Sequence, residues 1–198
     1  MKYTLLRADE YRRMPWKNGL GTTCEVRREP VDEDEAFVWR LSIADIKEKS
    51  SFSKFSGLTR IIGTLEGEGM RLKVDGSWTG PLRPYDPFIF SGDSEVESEL
   101  LDGPIRDFNL IYDARLCAAR LQWLELSRPR VFCSQAATML IFAVGQVEVV
   151  SGEFSLDLNH HDSVLLDNDR GDLTRIVLSP RTAALNNHCC LIELARRL

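Results

Sequence analysis

Phe37-Val38-Trp39-Arg40-Leu41-Ser42-Ile43-Ala44 alternates with a period of two. On an extended strand, Phe37, Trp39, Leu41 and Ile43 share one face, and Val38, Arg40, Ser42 and Ala44 share the other. Ile105-Arg106-Asp107-Phe108-Asn109-Leu110-Ile111 alternates too, placing Asp107 and Asn109 on the same face as Ile105 and Ile111. Further strand-like runs are Arg60–Leu65, Met70–Val74, Pro87–Phe90, Ala137–Val144, Val147–Val150, Val164–Leu166, Leu173–Leu178 and Cys189–Leu194. Turn residues separate them: Glu66-Gly67-Glu68-Gly69, Asp75-Gly76, Ser91-Gly92-Asp93, Ser151-Gly152 and Arg170-Gly171-Asp172. Many short strands with closely spaced turns predict an all-β antiparallel sandwich or barrel. A short helix is predicted only near Ile46–Lys49.

A faint repeat runs beneath this pattern. Shifted by 76 positions without a gap, Gly69 falls on Gly145, Val74 on Val150, Gly76 on Gly152, Asp86 on Asp162 and Asp93 on Asp169. The strand Phe88-Ile89-Phe90 lands on Val164-Leu165-Leu166. The order of features repeats with it, so the chain reads as two copies of one β-barrel-like unit. The expected units are residues 1–112 and 113–198. No Gly/Ser-rich or Pro-rich linker separates them, and they are expected to pack as one body.

Composition narrows the classes. Of 198 residues, 43% are hydrophobic and 28% charged, as in an ordinary globular protein. The net charge of −5 argues against a nucleic-acid binder. The start, MKYTLLRADEYRRM, lacks the apolar stretch of a signal peptide, and no run is long enough to span a bilayer. The expectation is a cytoplasmic protein without membrane partners. Five cysteines, an odd count with no C-x-x-C, argue against a disulfide framework or zinc ribbon and read as small buried apolar residues.

Chemistry is sparse. There is no G-x-S-x-G elbow and no Walker loop, and Gly19-Leu20-Gly21 is not followed by a helix. The histidines are His160, His161 and His188, so the first 159 residues offer no imidazole. His160, Asp162 and His188 have the composition of a facial triad for non-haem iron. They also read as a polar loop, Asn159-His160-His161-Asp162, beside an unrelated His, and that reading is preferred. Neither a metal nor another cofactor is expected.

The informative residues are polar ones in strands that otherwise look core-like. Thr23 and Glu25 share a face, as do Arg40 and Ser42, and Asp107 and Asn109. Buried groups of this kind must meet each other, water or a ligand. Arg40 suits bidentate binding of a carboxylate, with Asp107 holding it in position. The alternatives are an Arg–Asp network that only satisfies a core, or strands with one solvated face. Trp16-Lys17-Asn18-Gly19-Leu20-Gly21 reads either as a loop offering donors to an anion or as a turn anchored by its Trp.

Met14-Pro15-Trp16-Lys17-Asn18-Gly19-Leu20-Gly21-Thr22-Thr23-Cys24-Glu25 resembles the opening motif of the HutD/Ves family. Trp39-Arg40-Leu41-Ser42-Ile43-Ala44 is similar to its second motif, and Phe52-Ser53-Lys54-Phe55-Ser56-Gly57-Leu58-Thr59-Arg60 to its third. Leu65–Met70, Pro87–Asp93, and Gly103 followed by Asp107–Leu110 complete the set, in order. Ser51 and Ser56 stand where Gly and Pro are usual.

The resemblance implies a bicupin, two jelly-roll-like β-barrel units in one chain. It also implies a role in histidine utilisation or stress response, with a small anionic metabolite such as urocanate, formylglutamate or formate as ligand. Carried onto this chain, the pocket candidates are Asn18, Thr23, Arg40, Ser42, Phe52, Arg60, Asp107 and Asn109. The paired-His metal motifs of cupins are missing. A metal-free binding protein is therefore expected, with no catalytic residues assigned. The rival is a cupin enzyme, an isomerase, hydrolase or metal-dependent dioxygenase. A metal-free enzyme would need Asp107 or Glu25 as general base. Exposed strand edges leave a homodimer open.

Overall fold

The computed structural model describes residues 2–16, 21–30, 36–152, 154–182 and 187–197. Among them, regular structure is nineteen strands and one 3-10 turn, Ala8–Glu10. The first strands are β1 (Lys2–Leu6), β2 (Arg12–Pro15), β3 (Gly21–Glu29), β4 (Trp39–Ile46), β5 (Ser50–Ser51) and β6 (Thr59–Glu66). Then come β7 (Met70–Val74), β8 (Ser77–Trp78), β9 (Phe88–Ser91), β10 (Val96–Leu100) and β11 (Ile105–Tyr112). The chain continues with β12 (Cys117–Glu125), β13 (Arg130–Ser134), β14 (Thr138–Val144) and β15 (Val147–Ser151). It finishes with β16 (Phe154–Leu158), β17 (Ser163–Asp167), β18 (Thr174–Pro180) and β19 (His188–Arg196). The fold is all-β, as the alternation predicts. The predicted helix is absent: Ile46 ends β4, paired to Ile105 and Gly21, and the residues after it are irregular.

The chain divides into two compact units, one of Tyr11–Leu116 and one joining Met1–Glu10 to Cys117–Leu198. The expected division at residue 112 thus differs at both ends. β1 pairs antiparallel with β17, Thr4 against Leu165, which places the first residues with the C-terminal strands.

In the unit Tyr11–Leu116, a six-stranded sheet has the order β2-β3-β4-β11-β6-β9, and a four-stranded sheet the order β5-β10-β7-β8. In the other unit, a five-stranded sheet runs β1-β17-β14-β19-β12 and a four-stranded sheet β13-β18-β15-β16. The expected closed barrels are therefore corrected: each unit is a pair of open sheets. Strand for strand, β4-β11-β6-β9 corresponds to β12-β19-β14-β17, and β5-β10-β7-β8 to β13-β18-β15-β16. The hairpin β7–β8 turns at Asp75-Gly76 with φ of 47° and 86°, both positive as a two-residue type I′ turn requires.

Both interiors follow from alternation. In the C-terminal unit, Met139, Ile141 and Ala143 of β14 and Leu191 of β19 meet Val147 and Val149 of β15 and Ile176 and Leu178 of β18. That cluster is wholly apolar. In the other unit, Ile46, Ile62 and Ile105 of the large sheet pack on Met70, Leu72 and Val96 of the small one. Following β4 and β11 away from that cluster on the same face, Ile46 and Ala44 give way to Ser42 and Arg40, and Ile105 gives way to Asp107 and Asn109. The inner face thus changes from apolar to polar along its own strands.

Candidate functional site

That change of character opens into a cavity of about 600 Å³ in the unit Tyr11–Leu116. β4 contributes Arg40, Ser42 and Ala44, β11 contributes Asp107 and Asn109, β6 contributes Arg60, and β3 contributes Thr23. Register explains the gathering. Asp107 lies opposite Ala44 and Asn109 opposite Ser42, while Ile111 lies between Arg40 and Arg60. Seven of the eight residues expected at the site therefore line one cavity. The eighth, Asn18, lies outside the described residues.

The walls come from loops fixed by backbone bonds. The Phe52 N–H donates to Val96 O (2.9 Å) and the Phe55 N–H to Gly92 O (2.8 Å). Gly92 in turn donates to Leu58 O (2.7 Å), so the loop folds tightly over the end of β9. A methyl group at Gly92 would collide with the Phe55 carbonyl oxygen. Across the cavity, Trp16 Nε1 donates to Thr23 Oγ1 (2.8 Å), and the Trp16 N–H donates to Gly21 O (3.0 Å).

Two guanidinium groups dominate the chemistry, one on buried Arg60 and one on half-buried Arg40. Arg60 is 2% exposed. Its guanidinium carbon lies 5.0 Å from the Phe52 ring centre, 5.4 Å from Phe55 and 5.1 Å from Phe90. Arg40 lies 5.1 Å from Phe37 and 5.0 Å from Phe55. Aromatic rings over the faces of these cations leave in-plane N–H groups as the means of recognition. Arg60 Nη1 donates to Ser53 O (3.1 Å), but the buried Nε atoms of Arg40 and Arg60 have no partner. Burial pushes the Arg60 pKa down to about 10, against the pull of Asp107 and with the repulsion of Arg40. Burial also lowers Arg40, opposed by Glu25 and assisted by Arg28. Both remain charged near neutrality.

The carboxylates do not neutralise this pair. Glu25 is committed to Arg28, receiving Nε at 2.9 Å and Nη2 at 2.6 Å. This contact depends on a bulge. The β3–β4 register shifts between Glu25 and Arg27, setting Arg28 opposite Arg40 and onto the face that carries Glu25. Asp107 is 2% exposed, and burial raises its pKa to about 7, against the opposing effect of Arg60. Near neutrality the lining residues therefore carry a net charge between +1 and +2, as Asp107 passes from ionised to protonated. Asp107 Oδ1 and Asn109 Oδ1 are buried acceptors without a partner.

A second cavity of about 750 Å³ shares Met14, Arg40 and Phe55 with the first. Arg12, Arg28, Lys54 and Arg115 add positive charge there, and Asp113 is paired to Arg115 (2.6 Å).

Sequence reasoning missed Phe55, which covers both arginines, and Arg28, which occupies Glu25. Phe55 sits within a quoted motif, but no periodicity marks a loop residue. Arg28 reaches the site only through the bulge. The facial triad of His160, Asp162 and His188 does not form a candidate metal cluster among the described residues. Asp162 instead pairs with Arg7 (2.6 Å) and accepts from the backbone N–H groups of Ala8 (2.9 Å) and Asn159 (3.0 Å). Of the cysteines, Cys117, Cys189 and Cys190 are buried as expected, whereas Cys133 is exposed on β13.

An all-β fold of paired antiparallel sheets, with a polar cavity inside one unit, is a cupin-like architecture. A Cupin 2 conserved barrel domain protein from Leptotrichia buccalis shares this fold at a TM-score of 0.55 and 8% identity, over 96% of this chain and 99% of that one. The family model HutD matches residues 8–185, and the chain belongs to the HutD family. It is 45% identical over 194 residues to an uncharacterised 21.2 kDa protein from the hutC 3′ region of Pseudomonas putida, covering 98% of this chain and 97% of that protein. The structure of HutD from Pseudomonas fluorescens SBW25, from a formate condition, matches at a TM-score of 0.85 and 45% identity, with both chains covered completely. Among the described residues, no helix is long and apolar enough to cross a membrane.

Proposed function

We propose that this protein is a metal-free bicupin that binds a small carboxylate metabolite and thereby tunes histidine utilisation. The observation that carries the reading is the pair of arginines, buried Arg60 and half-buried Arg40, with buried, unpartnered Nε donors in a cavity whose one lining carboxylate, Asp107, has its pKa raised to about 7. A buried positive excess of this kind calls for an anion. The repeated strand order supports duplication of one cupin unit. The family name and the formate condition of the Pseudomonas fluorescens structure support a carboxylate of the histidine pathway.

The test is thermal unfolding with urocanate, formylglutamate and formate. Ligand at 100 times its Kd adds about 2.7 kcal/mol, a rise on the order of 5–10 °C for a chain of this size. The Arg40→Gln variant is expected to lose the rise. No shift with any of the three refutes the reading.

A second reading rests on Asp107. A buried carboxyl with a pKa of about 7 is suited to act as a general base. Turnover of a bound metabolite, lost in Asp107→Asn while binding persists, would favour an enzyme.

A further inference from the structure

We infer that the second cavity of the unit Tyr11–Leu116 is a separate anion site suited to a phosphoryl group, as in a phosphomonoester or a pyrophosphate. It goes beyond the carboxylate reading of the first cavity and does not depend on it.

The two cavities have Met14, Arg40 and Phe55 in common and otherwise differ in character. The second brings together five cations, Arg12, Arg28, Arg40, Lys54 and Arg115, with one carboxylate, Asp113. Its described lining therefore carries a net charge of +4, in a chain whose net charge is −5. Glu25 lies outside the lining but holds Arg28 by two hydrogen bonds, which lowers the local excess to +3. Asp113 is committed. Its Oδ1 accepts from Arg115 Nε (2.9 Å) and its Oδ2 from Arg115 Nη2 (2.6 Å), and these bonds hold its carboxyl down to about 2. Asp32, Glu33, Asp34 and Glu35, which precede Ala36 in the sequence, lie outside the described residues.

The fold gathers these cations at a cost. The bulge in β3 sets Arg28 directly opposite Arg40 of β4. Like charges facing each other across paired strands repel. The Arg28 side chain is only 12% exposed and Arg40 is half-buried, so water screens the repulsion weakly. Arg12, opposite Glu25 on β2, and Lys54, in the loop before β6, are exposed and line the same cavity. Among the described residues, the ion pairs at this cavity are Arg28–Glu25 and Arg115–Asp113, which leaves Arg12, Arg40 and Lys54 without one. An anion placed between the facing arginines would offset their repulsion and pair the remaining cations.

The charge and its arrangement select the kind of anion. A carboxylate is planar, carries one charge and takes a guanidinium fork in its own plane. Here the cations arrive on β2, β3, β4, the loop before β6 and the turn after β11. A phosphoryl group carries a charge of about −1.5 to −2 and three acceptor oxygens in a tetrahedral array, which suits several cations at once. The volume of about 750 Å³ leaves room for the rest of a small phosphorylated molecule.

Calorimetry of the full chain at pH 7.5 and constant ionic strength tests this, with pyrophosphate as probe and citrate as a polycarboxylate of similar charge. Pyrophosphate is expected to bind at least about tenfold tighter than citrate. The double variant Arg12→Gln, Lys54→Gln changes two exposed side chains, and is expected to weaken pyrophosphate at least about tenfold. In Arg60→Gln, which alters the first cavity alone, pyrophosphate affinity is expected to stay within about threefold. No binding of millimolar pyrophosphate to the wild type overturns the inference. Equal affinity for citrate overturns the phosphoryl assignment. Unchanged affinity in the double variant, or loss in Arg60→Gln with the double variant unaffected, would place the anion elsewhere and overturn it too. The double variant decides the matter even where Arg60→Gln does not fold. Binding of pyrophosphate without binding of urocanate, formylglutamate or formate would support this site and refute only the carboxylate reading of the first.

Discussion

Asp107 gives the pH dependence of folding a calculable sign. Its carboxyl titrates near 3.8 when unburdened and near 7 in the folded protein, with burial as the leading cause. The folded state therefore holds this proton more tightly than the unfolded state, so stability falls as pH rises between those two values. Below about pH 4 both states are protonated and the penalty is absent; above about pH 7 both are ionised and it is complete. The gap corresponds to about 4 kcal/mol, an order-of-magnitude figure for a group buried throughout. Asp107→Asn removes the titration and keeps the shape. Urea unfolding of wild type and variant from pH 4 to pH 8.5 isolates it, because other carboxylates contribute alike to both. The variant's stability relative to wild type is expected to increase by about 2–4 kcal/mol across this range, with most of the change below pH 7.5. A difference that stays flat, or falls with pH, would refute the claim that Asp107 carries an uncompensated buried charge.

Four further outcomes follow from the same geometry. Arg60→Gln is expected to weaken carboxylate binding by about 2–5 kcal/mol in calorimetry, and Arg60→Lys not to restore it, since a point charge replaces an in-plane fork. Gly92→Ala drives a methyl into the Phe55 carbonyl, and is expected to cost about 1–3 kcal/mol of unfolding free energy and to loosen ligand binding. Lys54→Glu, in the second cavity, is expected to slow ligand association several-fold in stopped-flow at low salt, with the difference shrinking as salt is added. A thiol reagent is expected to label exposed Cys133 in the native protein and to spare Cys189, whose thiol burial pushes up to about 12, until unfolding.

The sequence makes the strands legible wherever one face is buried, because alternation then repeats for several residues. Arg60–Leu65, Met70–Val74 and Val147–Val150 each fall within an observed strand. β12 escaped because Cys117-Ala118-Ala119-Arg120-Leu121-Gln122-Trp123 carries small residues and no clean period. β1 escaped because its partner, β17, lies some 160 residues away and leaves no local mark. The site shows a similar contrast. Arg40, Ser42, Asp107 and Asn109 are visible because polar groups on an inner face violate the pattern of their own strands. Thr23 is legible with Glu25 from the same alternation, whereas Phe52 and Arg60 needed the motif resemblance. Arg28 was hidden because a register shift, which no periodicity encodes, turns it inward.

The two interiors also say why the cavity lies where it does. Both units use one strand order, yet one fills the space between its sheets with Met139, Ile141, Val149, Ile176 and Leu191, while the other sets Arg40, Arg60, Asp107 and Asn109 there. Buried, incompletely paired polar groups destabilise the fold that holds them. That unit concentrates its apolar contacts at the other end of the same strands, where Ile46, Ile62, Met70, Leu72 and Ile105 are at most 4% exposed. A ligand that pairs the two arginines and the two acceptor oxygens removes the destabilisation where it arises. Saturation should therefore slow hydrogen exchange most at the Arg40–Ala44 and Asp107–Asn109 amides, and leave the Ile46–Ile105 end almost unchanged. Uniform protection along both strands would mean that the ligand acts on the whole unit, and that the polar and apolar ends are not energetically separate.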